Sequence, residues 1–321
     1  MIIETSNLTK KFKDLVAVND LNLQIREGEI FGLLGPNGAG KTTTLSMLAT
    51  LIKPSSGVAK VNGFDVVKNP SEVRKTIGIV FQDPSSDDVL TGYENLKLHA
   101  MLYGIPRSKR EEKIKEVLEL VGLYDRRNDI VKKYSGGMRR RLELARGLMH
   151  EPKILFLDEP TLGLDPQTRE VIWKYIEDLA EKQKVTIIIT THYMEEADRL
   201  CDRVGIIDFG KIVVLDEPDK LKKAMGGDVV VLKSKILDEK KLKGLNFIKK
   251  IEKKDDSFIL TMENANKRLN ELLKYTEGVE SVEIRNATLN DVFLHYTGRE
   301  IREEAGEGGI FERIAQQSVR R

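Results

Sequence analysis

One run of residues carries the clearest chemistry in this chain. Gly35-Pro36-Asn37-Gly38-Ala39-Gly40-Lys41-Thr42 fits the pattern G-x-x-x-x-G-K-[ST]. Its glycines let the backbone turn N–H groups inward on the phosphates of a nucleotide. Lys41 has the reach and charge for the β and γ oxygens, and the Thr42 hydroxyl suits Mg²⁺. A glycine-rich turn without a ligand is the plainer alternative. The flanks argue against it: Ile30-Phe31-Gly32-Leu33-Leu34 reads as a short buried strand, and 43–52 carries Leu45, Leu48, Leu51 and Ile52 at helical spacing. Strand, loop and helix follow in the required order, and the helix N-terminus adds free N–H groups and a favourable dipole.

Other elements must position that loop. Short apolar runs and turns over 1–34 predict antiparallel strands, and Asn62-Gly63 predicts a hairpin over 58–66. Apolar runs at 77–81, 154–157 and 185–191 predict buried strands, the kind found in a parallel sheet covered on both faces. They end at Gln82, at Asp158-Glu159 and at His192. Between them, 83–150 is helical in period: Ile114, Val117, Leu118 and Val121 share a face with Gly122 as a stop, and Ser135 is an N-cap for a helix carrying Leu142, Ala145 and Met149. The polar stretch 126–133 reads as an exposed connection, and Arg139, Arg140 and Arg141 as a solvated helix face. Asp165-Pro166 starts another helix. A hairpin is predicted about Phe209-Gly210.

Glu217-Pro218 and Gly226-Gly227 suggest a boundary, so we expect a nucleotide-binding domain over 1–220 with a helical subdomain near 83–150. A small C-terminal α/β domain over 227–300 is expected to follow, with strands at 229–233, 258–262 and 279–285, a helix at 267–275, and 249–256 solvating a hairpin. The charged stretch 301–321 reads as a fraying tail.

Bulk composition narrows the classes. At 40% hydrophobic and 32% charged residues the chain has globular composition, and no run of about 18 apolar residues occurs. The start Met1-Ile2-Ile3-Glu4 lacks a basic region followed by an apolar one, which leads to the expectation of a cytoplasmic protein. A net charge of +2 is no footprint for nucleic acid. Cys201 is the single cysteine, so neither an intramolecular disulfide nor a cysteine metal cluster can form.

Over 1 to about 216 the chain resembles the ATP-binding cassette family, the nucleotide-binding subunits of ABC transporters. Lys41, Gln82, the signature Ser135-Gly136-Gly137, Asp158-Glu159, Asp165 and His192 follow one another in the family's order. The run Tyr134 to Arg141, the run Pro160 to Pro166 and the segment 288–299 look like the daunorubicin-resistance type of multidrug or ABC-2 exporter ATPase. The resemblance implies an α/β P-loop NTPase fold, with a RecA-like core, antiparallel β and α-helical subdomains, and ATP with Mg²⁺ as cofactors.

It also implies a role for each residue. Phe12 stacks on adenine; as an isolated residue it could be core. Gly35, Pro36, Asn37, Gly38, Ala39, Gly40, Lys41, Thr42 and Thr43 hold the phosphates. Thr42 and Asp158 hold Mg²⁺, and Gln82 holds Mg²⁺ or the attacking water. Glu159 deprotonates the attacking water, and His192 holds the γ-phosphate. A carboxylate pair at a strand end is otherwise a cap or a solvated turn, and Asp165, expected at a subunit contact, could be only a helix cap. Ser135, Gly136 and Gly137 act in trans, covering the γ-phosphate bound by a second subunit. Met138 and Tyr134 depart from the more common Gln and Leu, but the donors here are largely backbone, so activity is expected to survive.

The implied function is that of an ATP-binding and hydrolysing subunit powering transport, namely export of drug-like or lipophilic compounds, through a separate integral membrane permease, peripheral on the cytoplasmic face of the membrane. A second ABC ATPase subunit, identical or different, closes head to tail on it. The alternatives are a soluble ABC ATPase of DNA repair or translation, and the ATPase of an importer. The first usually has coiled coils or two cassettes, whereas one phosphate loop and one signature occur here.

Overall fold

Alternating burial shapes the first two strands, β1 (Ile3–Phe12) and β2 (Leu15–Ile25), which pair antiparallel and turn Ile3, Leu8, Val18, Leu21, Leu23 and Ile25 inward. The computed structural model describes residues 1–237, 242, 244–254 and 257–298. β1 also pairs with β4 (Ser56–Val61), which turns at Asn62-Gly63 into β5 (Phe64–Asp65). Asn62 and Gly63 both have positive φ, 49° and 80°, the backbone of a two-residue hairpin turn. The resulting sheet has the order β2-β1-β4-β5.

The second sheet comprises β3 (Ile30–Leu34), β6 (Ile77–Val80), β7 (Ile154–Asp158), β8 (Thr186–Thr191), β9 (Arg203–Asp208) and β10 (Lys211–Asp216), in the order β10-β9-β3-β8-β7-β6. The pairs from β9 through β6 are parallel, and every residue of β3, β7 and β8 is buried. Continuous apolar runs such as Ile154-Leu155-Phe156-Leu157 suit strands covered on both faces. One apolar cluster joins the two sheets around α1 (Lys41–Leu48), bringing Leu45, Met47 and Leu48 against Phe31, Val61, Phe156 and Ile188. Cys201 is buried beneath Gly32, where an added Cβ would lie 2.6 Å from its sulfur.

The helical region follows β6. It contains α3 (Gly92–Leu102), α4 (Arg107–Leu120) and α5 (Gly136–Leu148), after the short α2 (Pro70–Thr76). Gly122, φ 64°, ends the α4 region as expected. The rest of the first unit holds α6 (Pro166–Gln183) and α7 (Met194–Leu200).

Three local expectations need correction. The helix after the phosphate loop stops at Leu48, because Thr50 takes a left-handed φ of 64°, and Leu51 is exposed. The connection 126–133 is not wholly exposed: Val131 is fully buried, and the buried Tyr134 donates its hydroxyl to Arg126 O. Arg140 is not solvated but buried.

The chain divides into two compact units at Leu215/Asp216. In the second, β11 (Asp228–Leu237), β12 (Ile248–Lys254), β13 (Ser257–Met262) and β14 (Thr276–Arg285) form an antiparallel sheet in the order β12-β13-β11-β14. The charged run from 249 thus supplies an edge strand as well as a solvated hairpin arm. Val230, Leu232, Phe258, Leu260 and Met262 pack with Leu272 of α9 (Ala265–Leu273). This unit also contains α8 (Pro218–Ala224) and α10 (Leu289–Thr297), the latter held by a capping box between Thr288 and Asp291. The tail expected at 301–321 lies outside the described residues.

Candidate active site

Four strands deliver their C-terminal ends to one edge of the parallel sheet, where ligands of open α/β folds bind. β3 leads into the phosphate loop, β6 into Gln82, β7 ends in Asp158 before Glu159, and β8 precedes His192. Register does the alignment: Leu34 pairs with Thr191, Asp158 with Thr190, and Val80 with Leu157.

The loop needs its glycines for space as well as conformation. Gly40 has φ 104° as N-cap of α1, and a Cβ there would lie 2.4 Å from Ala17 O of β2. A Cβ on Gly35 would lie 2.3 Å from Ile207 O of β9. The loop is therefore walled by both sheets. Gly210, in the turn between β9 and β10, donates its N–H to Ala39 O and accepts from Asn19 N, both at 2.9 Å.

Lys41, 4% exposed, donates to Gly35 O at 2.7 Å and Pro36 O at 3.0 Å, and its ammonium lies 3.3 Å from Glu159 Oε1. Burial lowers its pKa more than the charges of Glu159 and Asp158 raise it. On the other side of Glu159, His192 Nδ1 lies 3.2 Å from Oε2 and has no other polar neighbour at bonding distance. Burial opposes the charge on Glu159, yet the His192 ring and the Lys41 ammonium hold its carboxyl below the usual range. Glu159 also has φ 47°, a left-handed backbone that only firm surroundings maintain.

Asp158, 2% exposed, accepts from the Thr42 hydroxyl at 3.0 Å and from the Thr190 hydroxyl. Burial pushes its pKa up against those two donors. Lys41, Thr42, Asp158, Glu159 and His192 thus form one connected cluster. Gln82 is half-buried just beyond β6.

The signature forms a second group. Ser135 caps α5 and accepts from Met138 N at 3.2 Å. Ser135 and Gly136 are exposed, whereas Gly137 packs on the start of α6: its Cβ would lie 2.4 Å from Thr168 Cγ2. Asp165 caps α6, accepting from Thr168 N at 3.0 Å and from the Thr168 hydroxyl at 2.6 Å. Phe12 belongs to β1, not to the elements that carry either group. It is half-buried at the end of β1, with the Lys10 ammonium 4.9 Å from its ring centre, so it is no core residue.

Three side chains in this region escaped the sequence reading. Thr190 accepts from Glu159 N with its hydroxyl oxygen at 3.1 Å and with its carbonyl at 3.0 Å, while the hydroxyl donates to Asp158. Its only signal is a hydroxyl residue at the end of Ile187-Ile188-Ile189. Glu196, fully buried, accepts from Thr161 at 2.7 Å and Trp173 Nε1 at 3.0 Å. Arg140 donates to Pro160 O at 2.7 Å, Asp158 O at 3.0 Å and Phe81 O.

The ABC transporter family profile matches residues 18–162. The chain is 38% identical over 305 residues to the daunorubicin/doxorubicin resistance ATP-binding protein DrrA of Streptomyces peucetius, covering 92% of each. The chain belongs to the ABC transporter ATP-binding family. As an ABC ATPase it binds and hydrolyses ATP, and its α/β P-loop fold is that of the cassettes. The Nod factor export ATP-binding protein I of Cupriavidus pinatubonensis is 39% identical over 94% of this chain and 92% of its own. Residues 217–297 match the C-terminal domain of DrrA1-3-like ATP-binding proteins. Among solved structures, the dimeric post-hydrolysis state of the cassette MJ0796 bound to ADP and Pi superposes with a TM-score of 0.61 at 28% identity, over 67% of this chain and 98% of that one.

Proposed function

We propose that this ABC ATPase powers export through a separate integral membrane permease, docking as a peripheral subunit on the cytoplasmic face of the membrane. The relatives bearing resistance and export names support export over import or a soluble role in repair or translation. No helix among the described residues is long and apolar enough to cross a membrane. The permease is expected at the helical region near 83–105, where Val89, Leu98, Met101 and Leu102 are exposed.

The observation that carries the chemistry is Glu159, held between Lys41 and His192. Glu159 accepts a proton from the attacking water, and its lowered pKa keeps it in the basic form at neutral pH. Lys41 and the loop N–H groups from Gly35 to Thr43 hold the triphosphate. His192 donates to the γ-phosphate and keeps the carboxylate aligned.

Thr42, Asp158 and Gln82 suit Mg²⁺, because they offer hard oxygen donors and Thr42 already meets Asp158 at 3.0 Å. These three residues would hold Mg²⁺, which would supply neutralisation of phosphate charge. Phe12 supplies a stacking face for the base.

Ser135, Gly136 and Gly137 cover the γ-phosphate held by a second cassette, identical or different, arranged head to tail. The exposure of Ser135 and Gly136 beside Asp165 supports this contact. ATP binding closes the pair and hydrolysis reopens it.

The test is capture of the Glu159→Gln variant from membranes of its source with ATP present. Recovery of a polytopic membrane protein of exporter type is expected. Recovery of ribosomes or repair proteins with no membrane partner overturns the transport reading but not the nucleotide chemistry.

A further inference from the structure

Arg140 is 7% exposed, and its planar fork is spent wholly on backbone carbonyls. Nε donates to Pro160 O at 2.7 Å and one terminal nitrogen to Asp158 O at 3.0 Å, so one guanidinium grips the peptide on both sides of Glu159. The other terminal nitrogen donates to Phe81 O, immediately before Gln82. These carbonyls lie where β6 and β7 end, and an arginine fork is suited to gather such acceptors. Burial lowers the Arg140 pKa to about 10, which leaves it charged at neutral pH.

Arg140 belongs to the helix that Ser135 caps, so the same rigid element presents the signature at its start and grips the Glu159 peptide a turn further on. The next turns continue the attachment. Glu143 accepts from Ser85 N at 3.2 Å, the Ser85 hydroxyl at 2.9 Å and Ser86 N at 2.8 Å, which fixes the chain on the far side of Gln82. Glu159 itself holds a left-handed φ of 47°, a conformation that persists only where neighbours over-determine it.

We propose that Arg140 is a positioning residue for hydrolysis. It holds Glu159 and Gln82 in fixed register with the signature helix, and acts through Glu159 without touching nucleotide. This rests on the reading of Glu159 as the base.

The test uses the full chain and ATP, with Arg140→Met, Glu159→Gln and the double variant. Steady-state hydrolysis gives kcat and KM, and a fluorescent ATP analogue gives Kd. Arg140→Met is expected to lower kcat at least about tenfold with KM and Kd within about threefold, the pattern of an interaction needed in the transition state. In the Glu159→Gln background it should change the residual rate less than about twofold. Arg140→Lys should recover part of kcat. If Arg140→Met does not yield folded protein, Arg140→Gln, which keeps an amide donor, goes through the same cycle.

Unchanged kcat, equal losses in kcat and Kd, or independent multiplication of the two defects overturns the inference while leaving Glu159 as base. Wild-type turnover in Glu159→Gln alone overturns both.

Discussion

The Lys41 ammonium lies 3.3 Å from Glu159 Oε1 while His192 Nδ1 lies 3.2 Å from the other oxygen, so one carboxylate is held from both sides. Removing its basicity without changing its shape isolates its role. Glu159→Gln is expected to lower the ATP hydrolysis rate about 10²- to 10⁴-fold while ATP Kd stays nearly unchanged. Because the carboxyl is held below the usual glutamate value of about 4.3, its protonation should not limit the rate above about pH 5. A pH–rate profile of the wild type checks this: an acid limb with a midpoint near 6 counts against Glu159 as the base.

Thr190 joins Asp158 to the Glu159 backbone through one hydroxyl. Thr190→Val keeps the shape but leaves the buried carboxylate one donor short, at about 1–3 kcal/mol. Thr190→Ser keeps the donor and loses a methyl group, at about 0.8 kcal/mol. Denaturant unfolding should rank them wild type, Ser, Val. Equal stability of Val and wild type removes the bridging role.

Phe12 is half-buried at the end of β1. If it stacks on the base, Phe12→Ala should weaken ATP binding by about 1–3 kcal/mol, and Phe12→Tyr should restore it. Calorimetric titration with ATP measures both; an unchanged affinity in the alanine variant assigns the base elsewhere.

Gly137 has no room for a side chain, since a Cβ would meet Thr168 Cγ2 at 2.4 Å. Gly137→Ala should push the signature helix from α6 and reduce hydrolysis. Adding Thr168→Ser removes the colliding methyl yet keeps the hydroxyl bonded to Asp165, and should recover activity. No recovery in the double variant places the defect at the signature's own contacts.

In the second unit, Asp291 accepts from Arg285 at 2.6 and 2.9 Å and closes the Thr288 cap. Burial works against its charge, but Arg285 and the Thr288 donors hold its pKa below normal. A depressed pKa gives stability that is full above the unfolded value, about 3.9, and is lost as pH falls through the folded value. Asp291→Asn should therefore cost about 1–2 kcal/mol at pH 7 and progressively less below about pH 4. Thermal unfolding at both pH values tests the sign.

The phosphate loop was legible because its glycines and Lys41 sit together in sequence, and Asp158, Glu159 and His192 because each follows an apolar strand run. Arg140 was not, since three adjacent arginines carry no period. Only the packing of α5 decides that Arg140 turns inward while Arg139 reaches Asp88 and Arg141 reaches Val121 O. Thr190 was hidden because a β-branched residue in a strand is unremarkable until its neighbour in register, Asp158, is known. The charged run Ile248–Lys254 reads as solvated because it is an edge strand, with charge on a face that needs no cover.

Gly210 ties the phosphate loop to the antiparallel sheet, through Ala39 of the loop and Asn19 of the strand that pairs with β1. One turn residue thus fixes the spacing between the phosphate loop and the sheet that carries Phe12. With the base seated at Phe12, a nucleotide one phosphate shorter would leave the water that Glu159 activates with no γ-phosphorus to attack.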